Sequence, residues 1–361
     1  MIPMNRKTQG RQRGFTLVEL MISLLLGLLV IGAAGSMFFS NRKVYGSTEA
    51  ISRIQENQRS AYEMLARDIR EAGGNPCTKN IVNMLDTTKP GGAYFTGWVN
   101  GVDGENNTGP NGSDRIVLSN ATGGGIQVTS EDVPNAALGV SSSAGINAGD
   151  ILMVCNSEVA AIFEVTNATG NKLVHNSGEG NSLNKWKRPQ IDQCTYWRDG
   201  EVPSGYSCPS DPLDSSTDNS TGYCFLPGTP KHPQCTHESS NSPAQVVKPV
   251  SVRWYLKDNG RGGVSLYRQE ISNGGATAGA ENEIAEGVTN LQITYKVGNA
   301  AGYIDVPAAT DWKNVTAVRV NMVFRAAQGT LTKSDTEGTD NAVITRTLDD
   351  YILLRNHQDI Q

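Results

Sequence analysis

The sequence predicts an α+β fold, a long N-terminal helix laid across antiparallel sheet, and three observations carry that expectation. Residues 15–72 contain no proline and keep a helical rhythm of apolar side chains. Gly73, Gly74 and Pro76 then supply helix breakers in the order a C-terminus requires. Beyond Pro76, short alternating runs separated by turn-rich segments replace the helical rhythm. The composition agrees: 361 residues, 38% hydrophobic and 6% aromatic with a net charge of −5, is too polar for a polytopic membrane protein and too apolar for a wholly disordered chain.

Residues 1–14 carry Arg6, Lys7, Arg11 and Arg13 without an acid, so the chain from Phe15 onward holds a charge of −9. From Phe15 to Phe39 the only charged residue is Glu19. At about 1.5 Å per residue this apolar stretch can cross a hydrocarbon core of roughly 30 Å. The basic flank predicts a cytoplasmic N-terminus with the bulk of the chain on the other side. A secretory signal peptide cut near Ala33 to Ser36 would share these features. Glu19 argues against it, because a carboxylate inside an apolar helix costs roughly 2.5–3.5 kcal/mol and a signal peptide gains nothing from that cost. Residues 40–75 continue as an amphipathic helix, with Val44, Thr48, Ile51, Ile54, Ala61, Leu65, Ile69 and Ala72 at spacings of three, four or seven. Residues 15–72 as one helix would be a rod of about 87 Å.

In Arg13-Gly14-Phe15-Thr16-Leu17-Val18-Glu19-Leu20 the sequence resembles the class III signal of type IV prepilins and type II secretion pseudopilins. The resemblance implies a leader over residues 1–14, cleavage between Gly14 and Phe15 by a prepilin peptidase, and N-methylation of Phe15. It implies a type IV pilin-like fold in which residues 15–39 form a transmembrane and filament-core helix, residues 40–75 its continuation, and residues 76–361 a β-rich globular domain outside the cytoplasm. Parallel apolar helices need a polar feature to fix their register, and a Glu19 carboxylate facing the Phe15 ammonium of a neighbouring subunit would supply one.

Candidate strands in the globular part are residues 93–99, 114–120, 150–156, 159–166, 250–257, 263–270, 289–297, 315–326 and 343–354. Val250, Val252, Trp254 and Leu256 alternate with polar partners, as do Leu291, Ile293 and Tyr295, and Val318, Val320, Met322 and Phe324, the pattern of antiparallel strands with one wet face. Asp258-Asn259-Gly260 marks a hairpin. Large loops are expected at 100–113, 121–149, 198–249, 272–282 and 327–341, and a division into two β-subdomains near 170–190 is weakly signalled. Several of these strands, Asp150 to Val154, Ala161 to Thr166, Ser265 to Arg268, Ala317 to Val320 and the closing Leu354-Arg355-Asn356, are similar to the pattern of PilW-type minor pilins. The chain lacks the helix-kinking proline many pilins carry near the position of Ser36, and its cysteine-rich region 194–235 has no counterpart in that pattern. The likeness implies a minor pilin that primes assembly at the tip of a type IV pilus with other minor pilins, the major pilin and a tip adhesin, supporting twitching motility and adhesion. A J-like pseudopilin of a secretion system, or a secreted adhesin with an ordinary signal peptide, are the alternatives.

Cys77, Cys155, Cys194, Cys208, Cys224 and Cys235 all follow the helix, on the oxidising side, and an even number there reads as three disulfides. The simplest set joins Cys77 to Cys155, Cys194 to Cys208 and Cys224 to Cys235. Zinc at Cys224, His232, Cys235 and His237 is disfavoured because no CxxC unit is present. Asp103, Glu105, Asn107 and Asp114 have the oxygen ligands of a calcium loop, but Thr108 stands where such a loop needs glycine, and a solvated turn is the simpler reading. No P-loop, GxSxG or HExxH appears, so no enzyme, metal or cofactor is expected, and the acidic chain lacks the basic stripe of a nucleic-acid binder.

Overall fold

The structure, a computed structural model, describes residues 14, 16–78, 80–132, 136–177, 182–187, 222–225, 235–238, 243–273, 277–327, 336–338 and 342–357. Helix α1 (Leu17–Glu71) is followed by β1 (Ile81–Asn83), α2 (Pro90–Trp98), β2 (Val102–Glu105), β3 (Arg115–Asp132), β4 (Ala137–Val140), β5 (Ile151–Cys155), β6 (Ala160–Glu164), β7 (Asn167–Thr169) and β8 (Lys172–Val174). Then come β9 (Gly222–Cys224), β10 (Cys235–Glu238), β11 (Gln245–Asp258), β12 (Val264–Ser272), β13 (Thr277–Glu286), β14 (Val288–Val297), β15 (Val315–Arg325) and β16 (Thr345–Leu353). The architecture is α+β, dominated by antiparallel pairing.

Two compact units are distinguished. The first comprises the described residues up to Arg53 with those between Ala326 and Ile344. Within it the large apolar side chains of α1 are exposed, whereas Ala50 is buried and the Ser47 hydroxyl donates to the Glu337 carbonyl at 3.2 Å. The second runs from Ile54 to Arg325 and resumes at Thr345. Its largest sheet has the order β1-β6-β5-β11-β3-β4-β8-β7, with β12 and β13 continuing from β11 and β2 from β3. β11 is the spine of this sheet, pairing antiparallel with β3, β5 and β12. A three-stranded antiparallel sheet, β14-β15-β16, and a parallel β9-β10 pair complete the unit. Val252, Trp254 and Leu256 of β11, and Leu291, Ile293, Val318, Val320, Met322 and Phe324 of β14 and β15, are buried, as their alternation predicts. Burying each such side chain contributes roughly 1.5–3 kcal/mol.

Four expectations are corrected. Residues 93–99 are not a strand: Pro90 opens α2 at its first turn, and the spacing of Phe95 and Trp98 buries one helical face, with Trp98 Nε1 donating to the Val250 carbonyl at 3.2 Å. The expected strand 114–120 continues to Asp132, because β11 holds it in register as far as Gln127 and β4 takes it on from Val128. The expected loop 272–282 is largely β13, an edge partner of β12 whose small and polar residues give no apolar alternation. The expected loop 100–113 contains β2, paired with β3.

Candidate functional site

At the start of α1, Thr16 occupies the N-cap. Its carbonyl accepts from the Leu20 N–H at 3.1 Å and its hydroxyl accepts from the Glu19 N–H at 3.2 Å. This satisfies one of the donors a helix N-terminus leaves free, and it places the Glu19 carboxylate in the first turn, where the helix dipole favours negative charge. No hydrogen bond or ion pair reaches that carboxylate among the described residues. Gly14 is exposed with open space around it, and Phe15 lies outside the described residues. This role of Thr16 escaped sequence reasoning, although Thr-x-x-Glu ahead of an apolar run is the signal that could have found it.

Further along, α1 is long and apolar enough to cross a membrane. Its hydroxyls turn inward: Ser23 donates to the Glu19 carbonyl at 2.7 Å, Ser36 to Ala33 at 2.9 Å and Thr48 to Val44 at 2.8 Å. These three hydroxyls are thereby satisfied inside their own helix, which for Ser23 and Ser36 keeps their polarity off the surface of the apolar stretch.

The other end of α1 is anchored by a buried acid. Asp68 is 5% exposed, accepting from Trp254 Nε1 at 2.9 Å and from Arg268 Nε at 2.7 Å. A charge buried this deeply is tolerated because it is paired and hydrogen-bonded. Ala61, Leu65, Ala66, Ile69 and Ala72 are fully buried around it. The helix ends where Gly73 takes φ +71°, the left-handed conformation glycine adopts without penalty. Asn356 caps it from the far end of the chain, its Nδ2 donating to the carbonyls of Glu71 at 3.3 Å and Ala72 at 3.1 Å. Both anchors escaped sequence reasoning, although Asp68 falls inside the apolar stripe, three residues after Leu65 and four before Ala72.

Cys77 and Cys155 form a disulfide with Cα atoms 5.8 Å apart, tying the helix exit to β5. Cys224 is also disulfide-bonded, which removes the thiolate a zinc site would need. Cys194 and Cys208 lie outside the described residues, as does the side chain of Cys235. The segment around Cys224 is core: Tyr223, Cys224 and Phe225 are buried, the Tyr223 hydroxyl donates to Glu158 at 2.8 Å, and the Phe225 N–H donates to Glu131 at 2.6 Å.

Three of the four calcium-loop candidates, Asp103, Glu105 and Asp114, use their carboxylates within the protein. Asp114 is buried and accepts from the N–H groups of Asn107 at 2.9 Å and Ile293 at 2.7 Å. Burial pushes its carboxyl above the usual carboxylate range, against the pull of those two amides. Asp103 accepts from the Gly104 N–H at 2.8 Å, and Glu105 pairs with Arg115. Tyr295 fills the space above Gly104, its phenol pushed well up by burial and by the charges of Asp114 and Asp103. Asn107 contributes its backbone, and among the described residues no three His, Cys, Asp or Glu side chains are grouped to hold a metal.

Two family models match the chain. Residues 9–35 match the prokaryotic N-terminal methylation motif, and residues 253–350, from the middle of β11 to near the end of β16, match type IV pilus-assembly protein W. No curated protein and no solved structure matches.

Proposed function

Taking as premise that the chain is a pilin of the PilW type, we propose that it is a minor pilin which primes a type IV pilus at its tip. The observation that carries the reading is the pairing of an N-terminal methylation motif with an exposed apolar helix at one end and a pilus-assembly match at the other. The motif implies processing by a prepilin peptidase, anchoring in the inner membrane, and assembly with other pilins. In this reading the peptidase cuts between Gly14 and Phe15 and methylates the Phe15 amine. Glu19 then meets the amine of a neighbouring subunit, its carboxylate held in the first turn beneath the Thr16 cap. The partners are the major pilin, other minor pilins and a tip adhesin, and twitching and attachment follow from the filament. Cys194 with Cys208 and Cys224 with Cys235 complete the disulfides, closing short loops in a region poor in apolar residues. The structural role leaves no step that needs an active site.

Two measurements test this. Mass analysis of the mature N-terminus is expected to give methylated Phe15 as first residue, and a start near Ser36 would return the chain to an ordinary secreted protein. Deleting the gene is expected to remove surface pili. Loss of exoprotein secretion with pili intact would instead identify a J-like pseudopilin.

A further inference from the structure

We infer that the outer face of the β14-β15-β16 sheet is a docking surface for the globular domain of another pilin-type subunit, an inference that rests on the filament-subunit reading above. Outside α1, the large apolar side chains left exposed among the described residues are Ile304, Val306, Tyr351 and Leu353, at 46, 44, 54 and 60%. Two of them, Tyr351 and Leu353, define one place. Tyr351 and Leu353 alternate along β16 and so share a face, opposite Arg319 and Ala317 of β15. Tyr303 packs its ring on Tyr351 at 5.3 Å and so extends this face. The Arg319 guanidinium stands 5.5 Å from the Tyr351 ring and makes two hydrogen bonds to Asp349, at 2.8 and 2.6 Å. Tyrosine and arginine held in place before any partner arrives are the composition of an interface hot spot, and their ordering cost is already met within the subunit.

Charge and backbone together choose the occupant. The Arg319 charge is matched by Asp349 inside the patch, and Lys296 of β14, in register with Ala317, adds a single positive charge, too little to attract nucleic acid or lipid headgroups strongly. β16 is an edge strand, pairing with β15 alone among the described residues. Its edge is blunted by its own side chains: the Tyr351 N–H donates to the Asp350 carboxylate at 2.8 Å, and the Thr345 carbonyl accepts from Arg346 Nη1 at 3.0 Å. Such self-bonding opposes the addition of an extended strand. A largely apolar, rigid face of low net charge beside a blunted edge fits a folded surface, and a chain with an N-terminal methylation motif is assembled among pilin-type subunits.

The test uses the full-length chain in cells that make its whole pilin set, with photoreactive benzoylphenylalanine in place of Leu353 and, as control, in place of Lys257 on β11. Irradiation is expected to give an adduct with a second pilin-type subunit from position 353 and not from 257. With the photoreactive group moved to position 351, Leu353→Asp is expected to lower the adduct at least tenfold at unchanged abundance. Should that variant fall in abundance, Leu353→Ala decides, with an expected loss of several-fold. An adduct of the chain with itself, with lipid or with a protein outside the pilin class overturns the inference, as does equal adduct from both positions or none from 353. Gene deletion separates this from the functional reading. Lost pili with no adduct at 353 leave the pilus role standing and remove the docking face, whereas lost secretion with the expected adduct removes the pilus role and leaves the face.

Discussion

The two halves of α1 share one backbone conformation and meet opposite environments. From Leu17 to Tyr45 every large apolar side chain is exposed, between 54 and 79%, while Ala61, Leu65, Ala66 and Ile69 are at 0%. Each half also carries a telling carboxylate. Asp68 finds Trp254 and Arg268 within its own chain, whereas the Glu19 carboxylate has no partner among the described residues. Helix propensity cannot account for the difference, since the helix runs unbroken through both. What differs is the source of the contacts. The second half is satisfied by its own subunit, and the first leaves its contacts to lipid or to neighbouring helices.

Five alanine substitutions would break or sharpen this contrast. Asp68→Ala, which strands Arg268, is expected to cost about 3 kcal/mol, the lower end for a broken buried pair because Arg268 keeps some solvent. Denaturant unfolding of the full-length protein in detergent reads it, and a loss below about 1 kcal/mol would show that the anchor is dispensable. Leu65→Ala should cost ~2–3 kcal/mol in the same measurement, whereas Leu25→Ala should cost less than ~0.5. Equal costs would erase the distinction between the halves. Glu19→Ala reverses the pattern, with an unchanged unfolding midpoint but at least a tenfold drop in filament incorporation, equivalent to about 1.4 kcal/mol. Wild-type incorporation would sink the pairing of Glu19 with the Phe15 amine. Thr16→Ala is expected to cost about 1 kcal/mol of first-turn stability, visible as faster amide exchange at Glu19 and Leu20 and restored by Thr16→Ser.

The same contrast explains what the sequence disclosed. The helix, its Gly73 terminus and the strands around Trp254, Ile293 and Val320 were legible because period and punctuation are local properties. β13 was not, since an edge strand of small and polar residues is stabilised by the neighbour it pairs with rather than by its own pattern. Residues 93–99 misled because a cluster of aromatics reads as strand until Pro90 is given its weight as a helix opener. At the candidate site, the N-terminal methylation motif was legible because it is a local pattern written in consecutive residues. Asp68, Arg268 and Asn356 were hidden because each acquires its role from a partner roughly 200 residues or more away, at separations of 200 for Asp68 with Arg268 and 284 for Asn356 with Ala72.

The Cys77 to Cys155 bond has a mechanical consequence. Cys77 lies a few residues beyond the end of α1, and that short stretch can extend by at most roughly 20 Å. Tension entering through α1 that peeled the helix from its packing would therefore be taken up by a covalent tether after a short travel, and delivered to β5 between β6 and β11, the interior of the largest sheet. Contacts that hold α1 could yield while the load passes to the pairing of β5 with β6 and β11, and reduction of the bond would lengthen that travel by freeing the chain between Cys77 and Cys155.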